Sequence, residues 1–183
     1  PAGSSGSGCD GVFGTQQSGG AGISGAAHAG IWNGATASWT DLHLSGMSMS
    51  QALGTNGSQQ AGYATISNVT RACLWSGTAL SWVDLHPASA TSSKVLSIAG
   101  TQQAGFAQFG SAYHASFWTG SAASRGDLNP AGAAISVAFA TDGTQQGGFA
   151  SISSVYRAGI WSGTAASWTD LHPAGAEGSA VQA

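Results

Sequence analysis

One interval runs through this chain and limits what it can fold into. The aspartates of "SWTDLHL" (38–44), "SWVDLHP" (81–87), "SRGDLNP" (124–130) and "SWTDLHP" (167–173) stand at Asp41, Asp84, Asp127 and Asp170, each 43 residues from the next. Two other markers keep the same step. They are the pairs Gln16-Gln17, Gln59-Gln60, Gln102-Gln103 and Gln145-Gln146, and the series Trp32, Trp75, Trp118 and Trp161. No insertion or deletion disturbs the register. Each unit must therefore complete its local structure within 43 residues and bury its remaining apolar surface on its neighbours.

Within residues 59–100, "QQAGYATIS", "TRACLWSG", "SWVDLHP" and "SSKVLSIAG" are strand-length, Gly-flanked and partly β-branched or aromatic. The intervening "SGTA", echoed as "NGAT" and "TGSA", carries hairpin chemistry. No stretch shows a sustained 3.6-residue apolar stripe, and the glycine load opposes helices. The spacing predicts an all-β fold of four tandem four-stranded units, each resembling a β-propeller blade more than a solenoid coil. Ala and Gly on the sheet faces let neighbouring blades approach closely. The units run approximately over 14–56, 57–99, 100–142 and 143–183. Residues 1–8, "PAGSSGSG", read as a flexible leader, and residues 9–13 help to close the ring. Material for one strand occurs at both ends, as Ser7 with Cys9 and as Ser179 with Val181. A closed four-bladed ring within one chain is preferred to an eight-bladed ring shared by two chains.

Composition narrows the function. Only 6% of residues are charged, against roughly a quarter in ordinary soluble proteins. A net charge of −3 with four Lys and Arg provides no basic surface for nucleic acid or anionic lipid. A hydrophobic share of 42% and seven Trp argue for a packed core rather than disorder. No apolar run is long enough to cross a bilayer. The chain opens on Pro1 rather than Met, which fits a processing boundary in an exported protein. Cys73 aligns with Gly30, Ser116 and Gly159, so it reads as a small buried side chain; Cys9 aligns with Ala52, Val95 and Ala138. A Cys9–Cys73 bridge in an oxidising compartment is the alternative.

The repeated polar residues are the candidate sites. Alternation on "SWTDLHP"-type strands puts Trp, Asp and His on one face, and the neighbouring strand offers His28, Arg71, His114 and Arg157. Asp41, Asp84, Asp127 and Asp170 with those four partners read as a structural network of satisfied pairs. A ring of Asp and His as metal ligands is the competing reading, weakened because position 129 is Asn; neither a metal nor a cofactor is expected. Catalysis is not expected either. A triad needs unique residues converging at one point, whereas here Asp and His recur in every unit, and no "GxSxG", "HExxH" or phosphate loop appears. Trp39, Trp82 and Trp168, with His43, His86 and His172, are candidates for ligand binding. Exposed indoles in shallow pockets would stack on sugar rings, whereas burial would leave a scaffold.

The third copy departs from the rule, with Arg125, Gly126 and Asn129 where the others have Trp, a β-branched residue and His. "RGD" at 125–127 resembles an integrin-binding tripeptide, but Asp127 occupies the repeat's strand position and the change reads as drift. Met47 and Met49 mark another departure, serving a partner if exposed and filling a gap if buried.

The order of a Gln-Gln-x-Gly-aromatic strand, then "HAGIW" (28–32) or "HASFW" (114–118), a polar turn, "DLHP" and Ser-x-Ala resembles the bacterial extracellular HAF-type repeats over nearly the whole chain. The Asp, His and Trp pattern is also similar to the structural network of WD-repeat blades. The first resemblance implies a propeller-like β-structure, an extracellular or periplasmic location and a binding or structural role. The chain is thus expected to be a non-catalytic scaffold or accessory subunit docking other proteins, with a sugar-binding propeller as the alternative.

Overall fold

The computed structural model describes residues 1–182. They form four antiparallel sheets of four strands each. The first sheet holds β1 (Ser7–Phe13), β2 (Gln16–Ile23), β3 (Ala26–Trp32) and β4 (Thr40–Asp41), and the second β5 (Met49–Thr55), β6 (Gln60–Ile66), β7 (Val69–Trp75) and β8 (Val83–Asp84). The third comprises β9 (Ser92–Ala99), β10 (Gln102–Phe109), β11 (Ala112–Trp118) and β12 (Gly126–Asp127). The fourth comprises β13 (Ala133–Thr141), β14 (Gln146–Ile152), β15 (Val155–Trp161) and β16 (Thr169–Asp170). Within each sheet the strands pair in chain order. Among the described residues no helix is long and apolar enough to cross a membrane.

The all-β expectation and the four-stranded unit hold, but the sheets are displaced by one strand from the sequence units. Met49–Thr55, at the end of unit 14–56, opens the second sheet rather than completing the first. Residues 7–13 form β1, and the pairing extends into the predicted leader, where Ser5 N–H donates to the Gly22 carbonyl and Gly22 N–H to that of Gly6.

The "SWTDLHP" stretch is not a seven-residue strand. A 3₁₀ turn occupies its start, as at Ala79–Ser81, and only two residues join the sheet. The Asp84 carboxylate accepts the N–H of His86, bending the chain away, and Pro87 follows.

The sheets pack face to face in sequence order, and the apolar core lies in the three joints between them. At the first joint Ala29, Ile31 and Leu42 meet Ala52, Ala64, Cys73 and Trp75 of the second sheet, with Met47 filling the gap. Small residues on both faces permit this approach, and a few large side chains fill what remains. Trp75, Trp118 and Trp161 are fully buried, as are Leu42, Leu85 and Leu128. The fourth leucine, Leu171, is 48% exposed, so the last sheet does not carry the first on its outer face. The expected closed ring of four is not formed among the described residues. Instead Gly178–Gln182 lies on the fourth sheet where the first strand of a further sheet would lie. Ser179 N–H donates to the Tyr156 carbonyl and Val181 N–H to that of Gly148. Cys9 and Cys73 are both free thiols, exposed and buried respectively, so the bridge considered from sequence is not made.

Candidate functional site

Each sheet carries one polar network assembled from the repeated residues. In the second sheet Arg71 Nη1 donates to Asp84 Oδ2 at 2.7 Å, and Asp84 Oδ1 accepts His86 N–H at 2.8 Å. The His86 ring bridges the linker. Nε2–H donates to the Ala90 carbonyl at 3.1 Å, which leaves Nδ1 to accept from the Ser93 hydroxyl at 2.8 Å. Ser93 Oγ in turn accepts Ala72 N–H. Arg157, Asp170, His172 and Ser179 repeat the pattern in the fourth sheet.

The odd sheets use histidine in place of arginine. His28 Nδ1 lies 2.8 Å from Asp41 and His114 Nδ1 3.1 Å from Asp127. In the first sheet His28 also stacks on His43, with ring centroids 3.8 Å apart. In the third sheet Asn129 Oδ1 accepts from Ser136 where the others use a histidine ring. The structure thus brings together Asp41 with His28 and His43, Asp84 with Arg71 and His86, Asp127 with His114, and Asp170 with Arg157 and His172. In each set the aspartate Oδ1 accepts the backbone N–H two residues on, and no carboxylate bonds the serine-linked rings of His43, His86 or His172, so the Ser–His contact is not a triad.

The electrostatics follow the bonding. Burial, and then the Arg71 charge, hold His86 below the ordinary imidazole range; burial and His28 do the same for His43. Burial tends to raise Asp127, but Asn129 N–H, His114 and Arg125 outweigh it and the carboxyl sits low. Asp170 is held low by His172 N–H and then Arg157.

Two of the three tryptophan candidates pack against the joints. Trp82 lies against the cluster of the first joint and Trp168 against that of the third. Trp39 and Trp168 cover Gly30 and Gly159, where an added Cβ would overlap their benzo rings. All three indoles remain half-buried, and the N–H groups of Trp82 and Trp168 are buried without a partner among the described residues. Two coordinated changes build the third sheet differently. Arg125 occupies the tryptophan slot, with Nε donating to Ser116 Oγ at 2.9 Å, its guanidinium 3.1 Å from Asp127 and 4.7 Å from the centre of the Phe109 ring. Gly126 makes room for Phe117, whose ring would overlap any Cβ there. The Arg and Asp of "RGD" are therefore paired with each other.

A second candidate site lies where the first strands of the sheets converge. Register shifts in all four place Asp10, Leu53, Leu96 and Phe139 on β-bulges. Those four side chains, with Gln182, line one cavity of about 340 Å³. A bulge re-aims one side chain per sheet. The sequence contained a signal for this: Gly19, Gly62, Gly105 and Gly148 keep the 43-residue step because any Cβ there would overlap the carbonyl of the bulged strand.

No family model matches the sequence, and it matches no curated protein.

Proposed function

We propose that the chain is a non-catalytic, exported scaffold of propeller type that works by docking protein through a surface low in charge. The propeller reading is supported by four equivalent sheets stacked face to face and by four bulged residues around a common cavity. Export is supported by the resemblance to HAF-type repeats.

The observation that carries the non-catalytic part is that the repeated Asp, His, Arg and Ser groups spend their bonds on one another and on the backbone. Rings that cover Gly30 and Gly159 likewise serve packing, which favours docking over sugar stacking. Native mass spectrometry of the protein taken from its source tests the proposal. Copurification with other chains at fixed stoichiometry is expected. A bare chain of 17.9 kDa that binds glycans, and loses them on Trp82→Ala, would replace this reading with the sugar-binding one.

A further inference from the structure

The three internal joints define what covers each face of a sheet, and the two end faces of the chain carry complementary halves of that same joint. One half comprises the fourth sheet's Ala158, Ile160 and Leu171, the equivalents of Ala72, Leu74 and Leu85 in the second joint. Leu85 is fully buried where Leu171 is 48% exposed. The other half lies on the first sheet: Trp32 is half-buried where Trp75, Trp118 and Trp161 are fully buried, and Cys9 is exposed where Ala52, Val95 and Ala138 are covered.

We propose that these end faces join head to tail between copies of this chain, the fourth sheet of one carrying the first sheet of the next. The extended segment 178–182 sets the geometry. It is anchored on the fourth sheet as β5, β9 and β13 are anchored on the first three. Ala158 N–H donates to Ser179 Oγ, as Ala29, Ala72 and Ala115 donate to Ser50, Ser93 and Ser136. In the internal joints a strand in this place also pairs with the second strand of the following sheet. Ser179, Ala180 and Val181 stand four repeat steps from Ser7, Gly8 and Cys9, which pair with Ala21, Gly20 and Gly19. In the assembly, residues 178–182 take that register against β2 of the second copy and displace its residues 6–10. The exchange is facilitated because β1 is exposed at all but one of its residues.

Two further observations favour a second copy as the occupant. The sheets alternate in kind, with His28 and His114 in the odd ones and Arg71 and Arg157 in the even ones, and fourth-to-first succession preserves the alternation. The net charge of −3 puts little repulsion between copies. The inference rests on packing alone and is independent of export or of what the scaffold docks.

The test is native mass spectrometry of the purified 183-residue chain, with Leu171→Arg, Trp32→Arg and an equimolar mixture of the two variants. Circular dichroism checks that both variants are folded, with Trp32→Gln in reserve. The wild type is expected to form species of two or more copies, and each variant alone to be monomeric. The mixture is expected to give 1:1 pairs, because one intact head meets one intact tail. A monomeric wild type at high micromolar concentration overturns the proposal. So does an assembly that survives either substitution, which would place the contact elsewhere. Hydrogen exchange reads the strand exchange: on assembly, the amide of Ala180, whose neighbours Ser179 and Val181 already donate to the fourth sheet, gains protection and those of residues 7–10 lose it. Unchanged protection of β1 would refute that step.

Discussion

Asn129 occupies in the third sheet the place that a histidine holds in the other three, and the comparison says what that position requires. The serine hydroxyl needs one acceptor beside the linker, which an amide oxygen provides as well as an imidazole nitrogen. His86→Asn is therefore expected to change stability little, whereas His86→Ala leaves Ser93 without that partner at a cost of about 1–3 kcal/mol. Urea unfolding separates the two. The pH dependence follows from the same site. The folded chain holds His43 and His86 below their ordinary value of 6.5, so the unfolded chain takes up protons first as pH falls. Stability is expected to decline as pH drops below about 6.5 until the folded-state values are passed. Asp127, Asp142 and Asp170 are held below 3.8, and their contribution is lost only in stronger acid, as pH falls through their folded values. In His86→Asn the first decline should shrink while the second stays. An unchanged first decline would assign it to other groups.

The two-residue outer strands show what was legible in the sequence and what was not. Strand type and order followed from β-branched and glycine-flanked stretches, and the pairing of Asp84 with Arg71 followed from their shared step. The shortness of β8 did not, because the Asp84 carboxylate competes with the ladder for His86 N–H, and periodicity does not report such local bonds. The bulged residues Asp10, Leu53, Leu96 and Phe139 were missed because only the middle two share a type; the signal lay in the glycines across from them. The irregular third copy was read as drift, but Phe117 and Gly126 are matched to each other. Gly126→Thr is expected to destabilise by roughly 1–3 kcal/mol, as overpacking does, while adding Phe117→Ile restores most of the loss by reproducing the Ile31–Thr40 pair of the first sheet. Additive effects in a double-mutant cycle would contradict this matching.

Across the whole molecule, stability resides in the joints, and the joints are not equal. Leu85→Ala opens a fully buried position and should cost about 2–5 kcal/mol, whereas Leu171→Ala should cost the isolated chain less, since its side chain is already half in water. Thermal unfolding at low protein concentration measures that difference. The joints also alternate in their polar clasps. Gln16 receives Thr55 and Gln60 across the first joint, and Gln102 receives Thr141 and Gln146 across the third, while the middle joint uses Asn56 Nδ2 on the Gly100 carbonyl. The sequence repeats every 43 residues, but the bonding repeats every 86. A tandem duplication of the first two sheets leaves every clasp facing a proper partner, Asn56 then meeting the Gly14 carbonyl, whereas gain or loss of a single unit sets two like faces against each other. The natural increment by which such an array can lengthen in evolution is therefore the pair.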